Sequence, residues 1–600
     1  MSTQSLVLCV IIGVTGTTFA QKDTVEVQGY LETGQEGTLN AAVEAVRDTS
    51  SLSQTVFLLH SDERYVQTGS IVVGPDEVLD IVAPEPGPTQ DTAPPQILWT
   101  NQDVGRKYFI QNAGKLILKN LWVYYADIDG NQLSSSIGIT DNPDSTESER
   151  ATFDGVIFDY GPIAAESGGS VNVKADHFVG TFTNCYFRNN TDSHFRYYGR
   201  AVSFPYQSRG WHVDSLLFEN TTFANIGYVY MQEGGEYGDN VHFNHCTFLN
   251  VVMYALESPW WYKMSVTNSV FVNPFMYGYM PAWFCEEGED FLAGECDSPN
   301  GGIFTVVSVD SFEFEVDFKD LDRQILLSHS SYVYKDWLID WMEYNPGSVN
   351  MMRDGREDEI PLPQPYVSRE TLAFMDSTDA DGEKVFKTME VDESSMHIGS
   401  RPRFRVPPTN MESLRQFLYC KWFSGCDSHW AYEPQVSRNH RWPLPEDLSY
   451  TNDTLLTAAM GGFPLGDLNW FPEAHADWRA QRNLENERIT RWLQTGTDPG
   501  PITELRSVGN TIPAGYHLAQ NYPNPFNPVT WITYTTPERG HVTLTVYNLL
   551  GEEVAMLVQG IRDPGNHKVT FNAKELPSGI YLYRLKARDH VLTRKLIVTR

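Results

Sequence analysis

The chain has 600 residues, 41% of them hydrophobic and 13% aromatic, with 45 Gly and 34 Pro. This excludes a collagen-like, low-complexity or disordered chain and is enough for a sizeable core. A formal charge of −33 excludes the basic footprint that nucleic acid needs and disfavours an anionic membrane surface.

The first element is an apolar run, L-V-L-C-V-I-I-G-V (6–14). It is too short to span a bilayer, which takes about 20 helical residues. With the small-x-small step Thr18-Phe19-Ala20 behind it, residues 1–20 read as a secretory signal peptide. Its M-S-T-Q-S start departs from the usual pattern in having no Lys or Arg. The chain is thus expected not to be an integral membrane protein. Next, G-T-L-N-A-A-V-E-A-V (37–46) predicts an amphipathic cap helix. T-V-F-L-L-H (55–60), S-I-V-V (70–73) and L-D-I-V-A-P (79–84) predict short strands.

A repeat follows. F-D-G-V-I-F-D-Y (153–160), F-T-N-C-Y-F-R-N (182–189), F-E-N-T-T-F-A-N (218–225), F-N-H-C-T-F-L-N (243–250) and V-T-N-S-V-F-V-N (266–273) align without gaps. L-K-N-L-W-V-Y-Y (118–125) and L-S-H-S-S-Y-V-Y (327–334) are looser copies. The aromatic slot at Phe158, Phe187, Phe223, Phe248 and Phe271 steps by 29, 36, 25 and 23 residues. A fixed core with variable insertions marks a solenoid. The third position holds Asn120, Gly155, Asn184, Asn220, His245, Asn268 and His329. These residue types best tolerate a left-handed backbone, so each turns the chain between two strands. A second column, Asn189, Asn225, Asn250 and Asn273, predicts amides bonding from coil to coil. Leucine-rich and helical-repeat spacings are absent. Residues 21–345 are therefore predicted to form an all-β, right-handed parallel β-helix. The region resembles the pectin-lyase-like superfamily of secreted bacterial proteins.

Cys185 and Cys246 fill one slot two coils apart. At about 4.8 Å per coil that is too far for a disulfide, so both are predicted free and buried. Cys285 with Cys296, and Cys420 with Cys426, are plausible local disulfides in an oxidising compartment.

Counting nine residues past the aromatic slot places Arg196, Gln232, Glu257 and Met280 in one column; thirteen past gives Arg200, Glu236 and Trp261. Three readings stay open. In a polysaccharide lyase, Arg196, Arg200 or Lys263 is the base at C5, and Glu233, Glu236, Asp239 or Glu257 holds Ca²⁺. In a glycoside hydrolase, Glu233 and Glu257 are acid and base. In an adhesive solenoid there is no catalysis. Trp260, Trp261 and Tyr279 are the leading candidates for stacking on sugar rings. Polygalacturonase-type blocks are absent apart from a partial N-T-D-S (190–193), and pectate-lyase signatures are absent. The expected partner is a polysaccharide or cell-surface glycan.

From 346 to 494 the pattern becomes mixed. P-L-G-D-L-N-W-F-P (464–472) precedes a predicted helix at 473–493. The G-D-x-x-W segment resembles the tail of some Bacteroidetes β-helix proteins, which implies packing along the solenoid. Trp470, Trp478 and Trp492 are then core residues. A linker spans 495–511. Q-N-Y-P-N-P-F-N-P (520–528) and the alternating segments after it predict a small β-sandwich over 512–600. This end resembles a type A sorting domain of the type IX secretion system. The resemblance implies export across the outer membrane of a Bacteroidetes-like bacterium, often with removal of the domain. It holds ten Lys or Arg against six Asp or Glu, so the preceding 510 residues carry −37.

Overall fold

A computed structural model describes residues 22–599 apart from 87–91, 103–107, 134–135, 142–149, 162–168, 192–198, 205–211, 232–236, 254, 259, 277–301, 312–315, 317, 345–364, 421–429, 434–440, 502–515, 519–520, 522–523, 525, 537–539, 549–550, 563–564, 575 and 589. The chain divides into two compact units, the first ending at Pro501 and the second beginning at Ile502.

The first unit is built on three long ladders of parallel strands, which the chain visits in rotation. One pass runs Phe178–Thr183, Tyr186–Asn190 and Arg200–Ser203. Each strand pairs in parallel with its equivalent in the next pass: Phe182 with Phe218, Phe187 with Phe223, Val202 with Tyr230. Strands alternate inward and outward side chains. Inward aromatics therefore meet their equivalents, and Phe153, Phe182, Phe218 and Phe243 stack face to face at 4.7–4.8 Å. Phe158, Phe187, Phe223, Phe248 and Phe271 form a second stack. The aromatic slot of the repeat is thus the core. The helix Thr38–Thr49 buries Leu39, Val43 and Val46 against the first strands, as the amphipathic pattern predicts. At the other end parallel pairing continues beyond residue 345, through Met389–Val391 and His397–Ile398.

First and second ladders meet at a two-residue corner. All seven predicted residues there have positive φ, from 44° at His329 to 66° at Gly155. The second column does likewise, with φ between 51° and 57° at Asn189, Asn225, Asn250 and Asn273. Asn273 donates to Asn250 at 3.0 Å and Asn250 to Asn225 at 3.1 Å. Cys185 and Cys246 are free and buried, separated by the rung that carries Thr221. Cys420 is disulfide-bonded. Its expected partner Cys426, and Cys285 and Cys296, lie outside the described residues.

The second unit is a sandwich of a three-stranded and a four-stranded antiparallel sheet. Ile532, Tyr534 and Phe571 from one sheet meet Leu544, Tyr583 and Leu596 from the other in its core. No described helix is long and apolar enough to cross a membrane.

Candidate functional site

The segments after residue 402 cover one flank of the ladders. Outward side chains of the second ladder, including Trp122, Tyr186 and Leu249, pack against Leu448, Leu465 and Trp478. Two buried polar clusters fasten this cover. Arg188 donates to Asp159 at 2.9 Å and to Glu446 at 2.5 Å, all three at most 1% exposed as side chains. Tyr186 Oη adds a bond to Glu446 at 3.0 Å. Burial pushes the Arg188 guanidinium down, and the two carboxylates more than reverse it. Burial pushes Asp159 up despite Arg188. In the second cluster Glu485 accepts from Asn244 at 2.8 Å and Trp478 Nε1 at 3.0 Å, and its other oxygen lies 3.3 Å from His245 Nε2. Asp467 accepts from Thr222 at 2.7 Å, and burial raises its pKa to about 6. These groups bind protein to protein. They are a fastening, not an open site.

The third ladder differs. Its register aligns Val72, Gln111, Gly138, Asn172, Ser203, Met231 and Glu257 in one column. Flanking residues such as Ile137, Ile139, Val171 and Val173 lie in the core. Alternation therefore turns the column outward. Its described part is uncharged, and Asn172 is only 6% exposed, with no hydrogen-bond partner for Oδ1 among the described residues. A Cβ on Gly138 would lie 2.5 Å from the Tyr108 ring, so glycine is what lets that aromatic lie across the strand. The result is an amide-bearing stripe with a ring beside it. Such groups suit a polyhydroxylated neutral chain.

The sequence-derived columns do not match this register. Arg200 aligns with Gly169 and Tyr228, not with Glu236 or Trp261. Trp261 lies on the first ladder opposite Gly238, and Glu257 aligns with Met231 rather than Gln232. The cause is turn length. Nine residues separate Asn190 from Arg200, and one separates Ile226 from Tyr228. Counting from the second ladder therefore fails on reaching the third.

Arg200 is buried, with its guanidinium 5.5 Å from the Tyr228 ring centre. Trp261 is also buried, tilted on Tyr230 at 5.4 Å, and so does not present a face for sugar stacking. Trp260 and Asp239 are half-buried. Lys263, on the first ladder, sits 5.0 Å from the Tyr262 ring. Arg196, Glu233, Glu236 and Tyr279, and the side chain of Glu257, lie outside the described residues. Among the described residues no set of three or more His, Cys, Asp or Glu comes together to hold a metal. Gln111, Gly138 and Asn172 escaped the sequence reading. Their signal was the alternation in S-I-G-I-T (136–140) and G-S-V-N-V-K (169–174).

Residues 520–599 match a family described as a secretion system C-terminal sorting domain. No curated protein and no solved structure matches the chain. The sorting tail marks the protein for the type IX secretion system and so for the cell surface or the extracellular space. Its fold agrees with the sandwich predicted from the alternating segments, and Phe526, from the proline-rich lead-in, is buried in the core.

Proposed function

We propose that the first unit is a right-handed parallel β-helix of the pectin-lyase-like kind, which binds polysaccharide along the outward column of its third ladder. The column of Gln111, Gly138 and Asn172 carries this reading: it faces away from the core, bears amides and is uncharged where described. The second ladder is occupied by the cover. A uronate chain approaching −37 charges is repelled, so a neutral glycan is favoured unless Ca²⁺ bridges. In a catalytic version, Glu257, which continues the column in backbone register, would supply the carboxylate that acts on a bound chain. Glu233, Glu236 and Asp239 would hold Ca²⁺ in the lyase form. The alternative is an adhesive surface without turnover.

The test is a glycan panel incubated with the protein, with and without Ca²⁺, read for binding, new reducing ends and unsaturated products. Asn172→Ala and Gln111→Ala should each weaken glycan binding by about 3- to 10-fold, the worth of one hydrogen bond. Glu257→Gln should abolish any turnover and leave binding in place. Binding that ignores both alanine variants would reject the third ladder as the site.

A further inference from the structure

We infer that the outer face of the four-stranded sheet in the second unit is the surface by which the export machinery grips the chain, and that the partner is a protein surface both apolar and acidic. The sheet orders Glu553–Arg562, Gly540–Tyr547, Gly579–Ala587 and His590–Val598. Its inward residues, Leu544, Tyr583 and Leu596 among them, make the core. The outward residues therefore form one surface. On it Met556, Ile561, Ile580 and Val591 are 43–61% exposed. The four stand singly, on both edge strands and one inner strand, so they form no contiguous apolar patch; what sets the face apart is that cations lie between them.

Cations share that face. Arg584, Lys586 and Lys595 are all exposed, and cross-strand register places Lys586 beside Val591 and Lys595 beside Leu582. The Arg584 guanidinium lies 5.1 Å from the Tyr547 ring, and its Nε is 3.4 Å from Thr593 Oγ1. Among the described residues of the face, Glu553 is the acidic one. Charge and apolar area alternate instead of forming an apolar band, which fits a protein interface better than a bilayer. The other sheet offers a weaker case, with Trp531 as its exposed large apolar residue among those described. A sorting domain must be read by something, and this face has the features to be read.

The experiment uses the full chain in a bacterium that has a type IX system, measuring the exported fraction. The triple variant Arg584→Glu, Lys586→Glu, Lys595→Glu should lower export by about tenfold or more, because like charges are set against an acidic partner. The variant should accumulate inside the envelope, with the tail as trypsin-resistant as in the parent. Lys574→Glu, an exposed reversal off the face, should export as the parent does. Normal export of the triple variant, or an equal loss with Lys574→Glu, overturns the inference. If the triple variant loses trypsin resistance, Lys586→Gln and Lys595→Gln replace it, and unchanged export of both overturns the inference equally. Cosedimentation of the parent with phosphatidylglycerol vesicles, abolished in the charge variants, would assign the face to lipid and overturn the protein partner.

Discussion

At Asn184 the backbone turns with φ 55°, and the amide donates to Asp154 at 2.7 Å. A β-branched side chain there loses both advantages. Asn184→Val should cost about 2–3 kcal/mol, combining left-handed strain with a lost hydrogen bond. Asn184→Gly keeps the turn and should cost under about half of that. Urea unfolding of the two variants measures the difference, and equal midpoints would refute the argument. The corner column was legible in the sequence because Asn, Gly and His recurred at one slot. Tyr160 was not legible, since tyrosine does not announce a φ of 62°. Its ring stacks on Tyr124 at 5.4 Å, a tertiary contact that no local signal reports.

The cover is the element that sequence reading resolved least. Its G-D-x-x-W segment and three tryptophans were legible; Trp478 and Trp492 are buried, while Trp470 is only partly so. The partnership of Arg188 with Glu446 was invisible, because 258 residues separate them. Glu446→Ala would leave a buried guanidinium short of a counter-charge and should destabilise the unit by about 3–5 kcal/mol. A fall in thermal midpoint no larger than for a surface Glu→Ala would contradict this. Buried histidines of the first unit also give its stability a pH dependence. Burial lowers the pKa values of His242, His329 and His475 from 6.5 to about 4, aided by Lys263, Arg488 and Arg479 respectively. Between those values the unfolded chain binds protons that the folded chain refuses. Their contribution is full above pH 6.5 and is lost as pH falls towards 4. Asp467, raised to about 6 by burial, acts in the opposite direction. Asp159 and Glu219, also raised by burial, act with Asp467; against them the three histidine shifts, which span this range, set the expectation that the midpoint falls from pH 7 to pH 4.5. His475→Gln should make the fall shallower; an unchanged slope would remove His475 from the account.

For the whole molecule the two units differ in charge as well as in fold. The first 510 residues carry −37 and the remainder +4. Self-repulsion in a strongly charged unit opposes the compact state, and salt screens it. The Debye length shrinks from about 10 Å at 0.1 M to about 3 Å at 1 M. Buried pairs such as Arg188 with Asp159 are screened far less than exposed charges. Added sodium chloride should therefore remove more repulsion than attraction in the first unit and raise its thermal midpoint. The nearly neutral second unit should respond little. Calorimetry of the full chain, read against a variant ending at Pro501, assigns the two transitions. If the first unit's midpoint instead falls with salt, exposed ion pairs such as Arg401 with Asp336 outweigh the net charge. The excess of acid would then be local to the connections and not a property of the ladders.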